Sequence, residues 1–219
     1  MIEKAGKVNE KGNRSTTTEK AGKGNEKGNG LSTDVRRASG AGAVAIRASD
    51  IAEIGVAVAL AIVLQFIKVL RMPQGGSVSL EMVPIFYLAF RKGPKAGVLG
   101  GALFGFGKLF VEPYIIHPIQ LIMDYPLPFA AIGLAGFFRE RPLAGVSLGC
   151  IARFFVHFLS GIIFFASYAP KGQSPVVYSA IYNASYIIPE LIISAIIIEA
   201  LLRSGRVFGG RKGRAGRNQ

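Results

Sequence analysis

Apolar residues fall in six runs, at 51–70, 77–90, 96–111, 119–138, 143–168 and 176–202, separated by charged, proline- or glycine-bearing breaks. Most approach the roughly 20 residues a helix needs to cross a bilayer. The pattern predicts six membrane-spanning helices. Asp50 followed by Glu53 has the spacing of a capping box ahead of the first run. Arg71, Pro73, Gly75 and Gly76 close that run, and the second is short, with Glu81 near its start and Pro84 in its first turns. RKGPK at 91–95 and RERP at 139–142 read as charged turns, and EPYIIHP and PKGQSP as loops.

Charge then orients the bundle. Residues 1–50 hold ten Lys/Arg and six acids, 203–219 hold six Lys/Arg and no acid, and 51–202 hold ten and seven. The basic excess therefore sits in the tails, which lack aromatics apart from Phe208. That argues against a soluble nucleic-acid-binding surface, where basic and aromatic residues interleave. With six spans both termini share one side, together with Arg91, Lys92, Lys95, Arg139 and Arg141. The other side receives little beyond Arg71 and Lys171. The positive-inside rule then predicts an all-α six-transmembrane-helix bundle, N-in/C-in, with both basic tails cytoplasmic. The expected division is a disordered basic tail at 1–49, a membrane domain at 50–203 and a second basic tail at 204–219. EKAGKVNEKGN at 3–13 returns as EKAGKGNEKGN at 19–29, a composition that cannot bury enough apolar surface to fold. The lone Cys150 excludes a disulfide framework, and no metal cluster is expected.

Candidate chemistry concentrates around 114–138, where Asp124 stands beside Tyr125 inside an otherwise apolar span. A carboxylate at membrane depth costs about 2.5–3.5 kcal/mol on insertion scales, so it faces a cavity and takes a partner. Two partners are open: a cationic ligand, or an internal base such as Arg153. In the fifth run Arg153, His157 and Gly161 recur every four residues, with Phe164 and Phe165 a turn further on, and so share one face. Gly161 admits either a neighbouring helix or a flat ligand. In the sixth run Tyr178, Tyr182 and Tyr186 form one stripe, and Asn183, Tyr186 and Glu190 an overlapping one. Tyr178 and Asn183 lie about 140° apart on a regular helix, so one pocket reaches both only if it is wide or the helix start irregular. The bland readings are a His bonded to a neighbouring helix, an interfacial tyrosine belt, and Glu190 and Glu199 serving helix packing or the inner interface. Taken together, the outer halves of the last three runs suit a positively charged aromatic heterocycle, held by a carboxylate and by ring faces.

GGSVSLEMVPI, YIIHPIQLIMDYPL, AAIGLAGFF, HFLSGIIFF and YSAIYNAS, in this order, resemble the thiamine-specific substrate-binding (S) component of energy-coupling factor (ECF) transporters. The resemblance covers about 50–203 and leaves both tails unmatched. It implies a six-helix bundle that binds thiamine near the outer face, with no cofactor, partnered by a membrane coupling subunit and two ATP-hydrolysing subunits. Carried over by position, it implies binding roles for Tyr114, Asp124, Tyr125, Arg153, His157, Phe165, Tyr178 and Asn183, with Glu81 shaping the pocket. It departs from the family at several points. Phe165 and Ser77 stand where some members carry Trp, some relatives carry Glu in place of Asp124, and some carry Lys in place of Arg153. A related pyrimidine or thiazole precursor therefore stays open as the ligand.

Energy must be supplied by another chain, because no phosphate-binding loop is present and Gly107-Lys108 is followed by Leu109. In the first run, Gly55 and Ala59, and Ala57 and Ala61, are small-xxx-small pairs that allow close helix contact. Packing within the bundle explains them as well as docking does, and the resemblance favours docking on the coupling subunit. The reading from another class is an intramembrane enzyme that uses Asp124 and His157 as acid and base. It would need a nucleophile such as Ser160, and no catalytic motif supports it.

Overall fold

The computed structural model describes the backbone of residues 48–214 and the side chains through residue 204. The expected N-terminal tail, with its repeat, lies outside the described residues up to residue 47. Residues 48 and 49 begin the first helix, α1 (Ala48–Leu64). There follow β1 (Lys68–Arg71), β2 (Ser77–Ser79), α2 (Met82–Lys92), α3 (Pro94–Val111), α4 (Pro118–Asp124) and α5 (Pro126–Ile132). A 3-10 turn over Gly133–Phe138, α6 (Pro142–Phe164), a short 3-10 turn and α7 (Pro175–Arg214) complete the chain.

The helices bury an apolar core and also turn large apolar residues outward. Ile151, Phe155, Leu159 and Ile163 form an exposed stripe along α6, and Ile181, Ile188, Ile192 and Ile196 do the same on α7. A water-soluble bundle would hide such stripes, whereas a lipid-facing one presents them. Pro118–Phe138, Pro142–Phe164 and Pro175–Ser204 are long and apolar enough to cross a membrane. α1, α2 and α3 are shorter, at 17, 11 and 18 residues. At about 1.5 Å per residue, α2 cannot cross a 30 Å hydrocarbon core by itself.

Four local features differ from the sequence reading. The run at 51–70 is helical only to Leu64, and Lys68–Arg71 instead pairs antiparallel with Ser77–Ser79. Gly75 and Gly76, at φ 90° and 86°, make the turn that folds the two strands together. Asp50 lies inside the first turn of α1 and, with Glu53, pairs with Lys92 at 2.9 and 2.7 Å rather than forming a box. The run at 119–138 breaks at Tyr125, where Pro126 starts a new helix without a backbone donor. The last helix continues to Arg214, so the basic segment after 203 begins as an extension of α7.

Glycines set the closest approaches. A Cβ on Gly101 would lie 2.0 Å from the Phe129 carbonyl oxygen, and one on Gly105 would lie 2.3 Å from that of Tyr125. α3 is thus seated directly on the backbone of α5 and on the break before it. Gly161 faces Ser179, whose Oγ would be 2.1 Å from an added Cβ. The neighbouring helix, α7, takes the space on the Cβ side of Gly161. Met82, Ile85, Phe86, Phe104, Phe129 and Ile132 fill the core between these elements.

Candidate functional site

A cavity of about 330 Å³ opens between the hairpin, the loop after α3, α4, α6 and the first turns of α7. Tyr114, Asp124, Tyr125, Arg153, His157, Phe165, Tyr178 and Asn183 all line it. Glu81 does not; it is fully buried behind the wall and bonds Lys108, which does line it, at 2.5 Å. Ser77 is buried in β2, away from the lining.

Asp124 ends α4 facing the cavity. Its Oδ2 accepts from Gln120 Nε2 at 2.6 Å, and its Oδ1 lies 3.4 Å from His157 Nδ1. Arg153 is not its partner. The guanidinium donates through Nη1 to Glu190 Oε2 at 2.5 Å and lies 3.9 Å from Glu81 Oε1. It is held between the rings of Phe129 and Tyr186, at 4.8 and 5.8 Å to their centroids. The internal Asp124–Arg153 pair that the sequence left open is therefore absent, and Glu190, expected to serve packing, is Arg153's counterion instead.

Several site residues also hold the walls. Tyr125 is buried, accepts from the Tyr114 N–H at 2.6 Å and donates to the Glu112 carbonyl at 2.8 Å, which pins the loop. Tyr114 shares a 2.7 Å hydrogen bond with the Tyr168 hydroxyl, and its ring stacks near that of Phe165, 6.0 Å away and tilted by 20°. The Asn183 amide donates to the Ser179 carbonyl at 2.9 Å, and its oxygen accepts from Tyr186 at 2.7 Å. His117 caps α4 through Nδ1 on the Ile119 N–H at 3.1 Å.

The hairpin forms the cavity's remaining wall. Tyr182 accepts from the Gln74 N–H at 2.8 Å and donates to the Gly75 carbonyl at 2.9 Å, while Tyr178 donates to Gln74 Oε1 at 3.4 Å. These bonds reconcile Tyr178 with Asn183. Tyr178 serves the rim at the start of α7, Asn183 lies one turn further along, and the cavity is wide enough to touch both. At the hairpin's first strand Glu112 accepts from Lys68 and from Arg71, the latter at 2.8 Å. Partial burial alone would push the Glu112 carboxyl up. The Lys68 hydrogen bond and the charges of Lys68, Lys108 and Arg71 outweigh it and hold the group below its ordinary range.

Sequence reasoning passed over Gln120, Lys108 and the hairpin. Gln120 stands four residues before Asp124, the spacing that brings side chains together on a helix. Lys108 is a lone charge inside an apolar run, a signal of the same kind as Asp124. The acid–base reading finds its pair, with Asp124 Oδ1 3.4 Å from His157 Nδ1, but not its nucleophile. Among the described residues Ser160 Oγ is buried without a hydrogen-bond partner, and it does not line the cavity.

A family model described as "Thiamine transporter protein (Thia_YuaJ)" matches residues 51–208. The thiamine transporter ThiT of Bacillus subtilis is 40% identical over 169 residues, covering 67% of this chain and 86% of its own length. ThiT of Lacticaseibacillus paracasei is 28% identical over 141 residues, covering 55% and 70%. A solved structure of ThiT from Listeria monocytogenes superposes with a TM-score of 0.66 at 28% identity, covering 72% and 94%. An S component of a bacterial ECF transporter shares the fold at 18% identity, with a TM-score of 0.53 and coverage of 73% and 96%.

Proposed function

The chain belongs to the thiamine transporter family Thia_YuaJ, and from that premise we propose that it captures thiamine in the cavity as the S component of an ECF-type importer. One observation carries the ligand chemistry. Among the described residues Asp124 is the single carboxylate lining the cavity that has no Lys or Arg partner, since Glu112 is taken by Lys68 and Arg71. A half-buried acid facing Tyr114, Phe165 and His157 is matched to a flat monocation. The thiazolium ring supplies that charge, and the aminopyrimidine and hydroxyl supply groups for Tyr, Asn and His to read. Glu81 acts from behind the wall by holding Lys108.

The cavity opens at the ends of α6 and α7 away from Arg91, Lys92, Arg139 and Arg141. That separation supports an outward-facing site with both termini in the cytoplasm of a prokaryotic cell. A membrane coupling subunit and two ATPase subunits supply the energy. Gly55 and Ala59 lie exposed on α1 and form the docking face, whereas Ala61 is fully buried in the core and Ala57 half-buried.

The test is calorimetry of purified protein with thiamine, joined to mass spectrometry of any ligand that co-purifies in mild detergent. Stoichiometric binding and unchanged thiamine are expected. A chemically altered product, or binding of an uncharged precursor in preference to thiamine, would overturn the reading.

A further inference from the structure

Lys68, Arg71, Lys108 and Arg153 bring four positive charges to the wall of a cavity that is read here as taking a cation. Each is answered by an acid. Glu112 pairs with Lys68 and Arg71, Glu81 with Lys108, and Glu190 with Arg153. Glu112 is shared by two of them, so the sum of four carboxylates and four cations closes only with Asp124, the one acid of the four without a Lys or Arg partner. The balance is local as well. Glu81 lies 2.5 Å from Lys108 but 3.9 Å from Arg153, so the counterion of Arg153 is Glu190.

Glu190 is fully buried and does not line the cavity. Both of its oxygens are oriented. Oε2 lies 2.5 Å from Arg153 Nη1, and Oε1 accepts from the Ser79 N–H at 3.2 Å and from its hydroxyl at 3.4 Å. Met82 Sδ sits 2.7 Å from the same Nη1, and Nε is left buried without a partner on a residue that lines the floor. Stability alone gives little reason for such a pair, since buried ion pairs are often replaced by apolar residues at no cost. Charge at the cavity floor gives one. Without Glu190, the Arg153 charge would stand uncancelled beneath the ligand.

We propose that Glu190 is a positioning residue that fixes Arg153 and cancels its charge, and thereby sets the preference of the cavity for a cationic ligand over an uncharged one of the same shape. The inference rests on the thiamine reading. It is tested with two probes on protein purified in detergent: thiamine, and an isostere in which an uncharged thiophene replaces the thiazolium ring. Glu190→Gln keeps the acceptor for Ser79 and removes the charge. It should weaken thiamine by about tenfold to a hundredfold and leave the isostere within about twofold of the parental value. Glu190→Asp, which keeps the charge, should restore most of the thiamine affinity. The double variant Arg153→Met with Glu190→Gln removes both charges and stays testable if the single variant does not fold. Its ratio of thiamine to isostere affinity should return to within about threefold of the parental ratio. Equal losses on both probes, no loss on either, or a double variant whose ratio stays low overturns the proposal. Failure of the parental protein to bind thiamine would remove the functional reading and this inference together, whereas parental binding with equal losses would remove the inference alone.

Discussion

Gln120 Nε2 lies 2.6 Å from Asp124 Oδ2, one turn earlier on the same short helix, and it also donates to the Tyr114 carbonyl at 3.0 Å. A neutral amide thus orients the acid without cancelling its charge. Asp124→Asn keeps the size and removes that charge. The expected loss of thiamine affinity is about 2–5 kcal/mol, the range for truncating one partner of a desolvated charge pair, or about thirtyfold to several thousandfold. Thermal stability should change little, because Arg153 is already paired with Glu190. Calorimetry showing a loss of less than about tenfold would remove Asp124 as the main cation partner.

Phe165 closes the cavity against Tyr114, with the two rings near-parallel. Phe165→Trp should preserve or tighten binding, because indole presents the stronger face to a cation. Phe165→Ala should cost about 1–3 kcal/mol, as loss of an aromatic platform does for stacked bases. Calorimetric titration with thiamine checks both. Unchanged affinity in the alanine variant would place the stacking face elsewhere.

The break at Tyr125 depends on α3 as much as on proline. A Cβ on Gly105 would press within 2.3 Å of the Tyr125 carbonyl oxygen, and backbone cannot swing aside as a side chain does. Gly105→Ala should therefore destabilise the fold by about 1–3 kcal/mol and displace the adjacent Asp124, weakening binding as well. Gly55→Ala is the control, since an added Cβ there meets nothing within 4 Å. A thermal melt in which the two variants behave alike would show that α5 moves away freely.

The apolar runs, the broken fourth segment's acid and the shared face of Arg153 and His157 were legible in the sequence because helical spacing and the cost of charge in lipid are local rules. The hairpin was not. Phe66, Ile67 and Val69 suit a strand as well as the end of a helix, and only pairing with Ser77–Ser79 decides between them. Partner choice was not legible either. Arg153 could reach an acid on α4 or on α7, and the packing of α6 on α7 through Gly161 selects Glu190 over Asp124.

Glu112 ties β1 to the loop after α3, and its carboxyl is held below the ordinary range. A group with a depressed folded-state pKa contributes stability above its unfolded value, near pH 4.3, and loses that contribution as pH falls through the folded value. The clasp should therefore weaken below about pH 4 and be intact at neutral pH. Melting temperatures followed from pH 6 to pH 3 should fall more steeply for the parental protein than for Glu112→Gln, which lacks the titrating group. Parallel curves would show that the Lys68 and Arg71 contacts add nothing to the hairpin's seating.

Binding and transport are expected to separate on α1. Gly55 and Ala59 face outward, beside the exposed Ile51, Val56, Leu60 and Val63, while Ala61 is sealed in the core. A leucine at 55 or 59 therefore meets no neighbour inside the bundle, whereas one at 61 would overpack it. Neither Gly55 nor Ala59 lines the cavity. If this face receives the coupling subunit, Gly55→Leu and Ala59→Leu should hold the two proteins apart by the width of a side chain, because close helix contact in lipid depends on small residues. Thiamine affinity and melting temperature of the isolated protein should stay at parental values, while co-purification of the ATPase module and uptake by cells are lost. Normal uptake by both variants at normal expression would move the docking surface to another helix. Lost binding in the isolated protein would mean that α1 uses this face to pack within its own bundle.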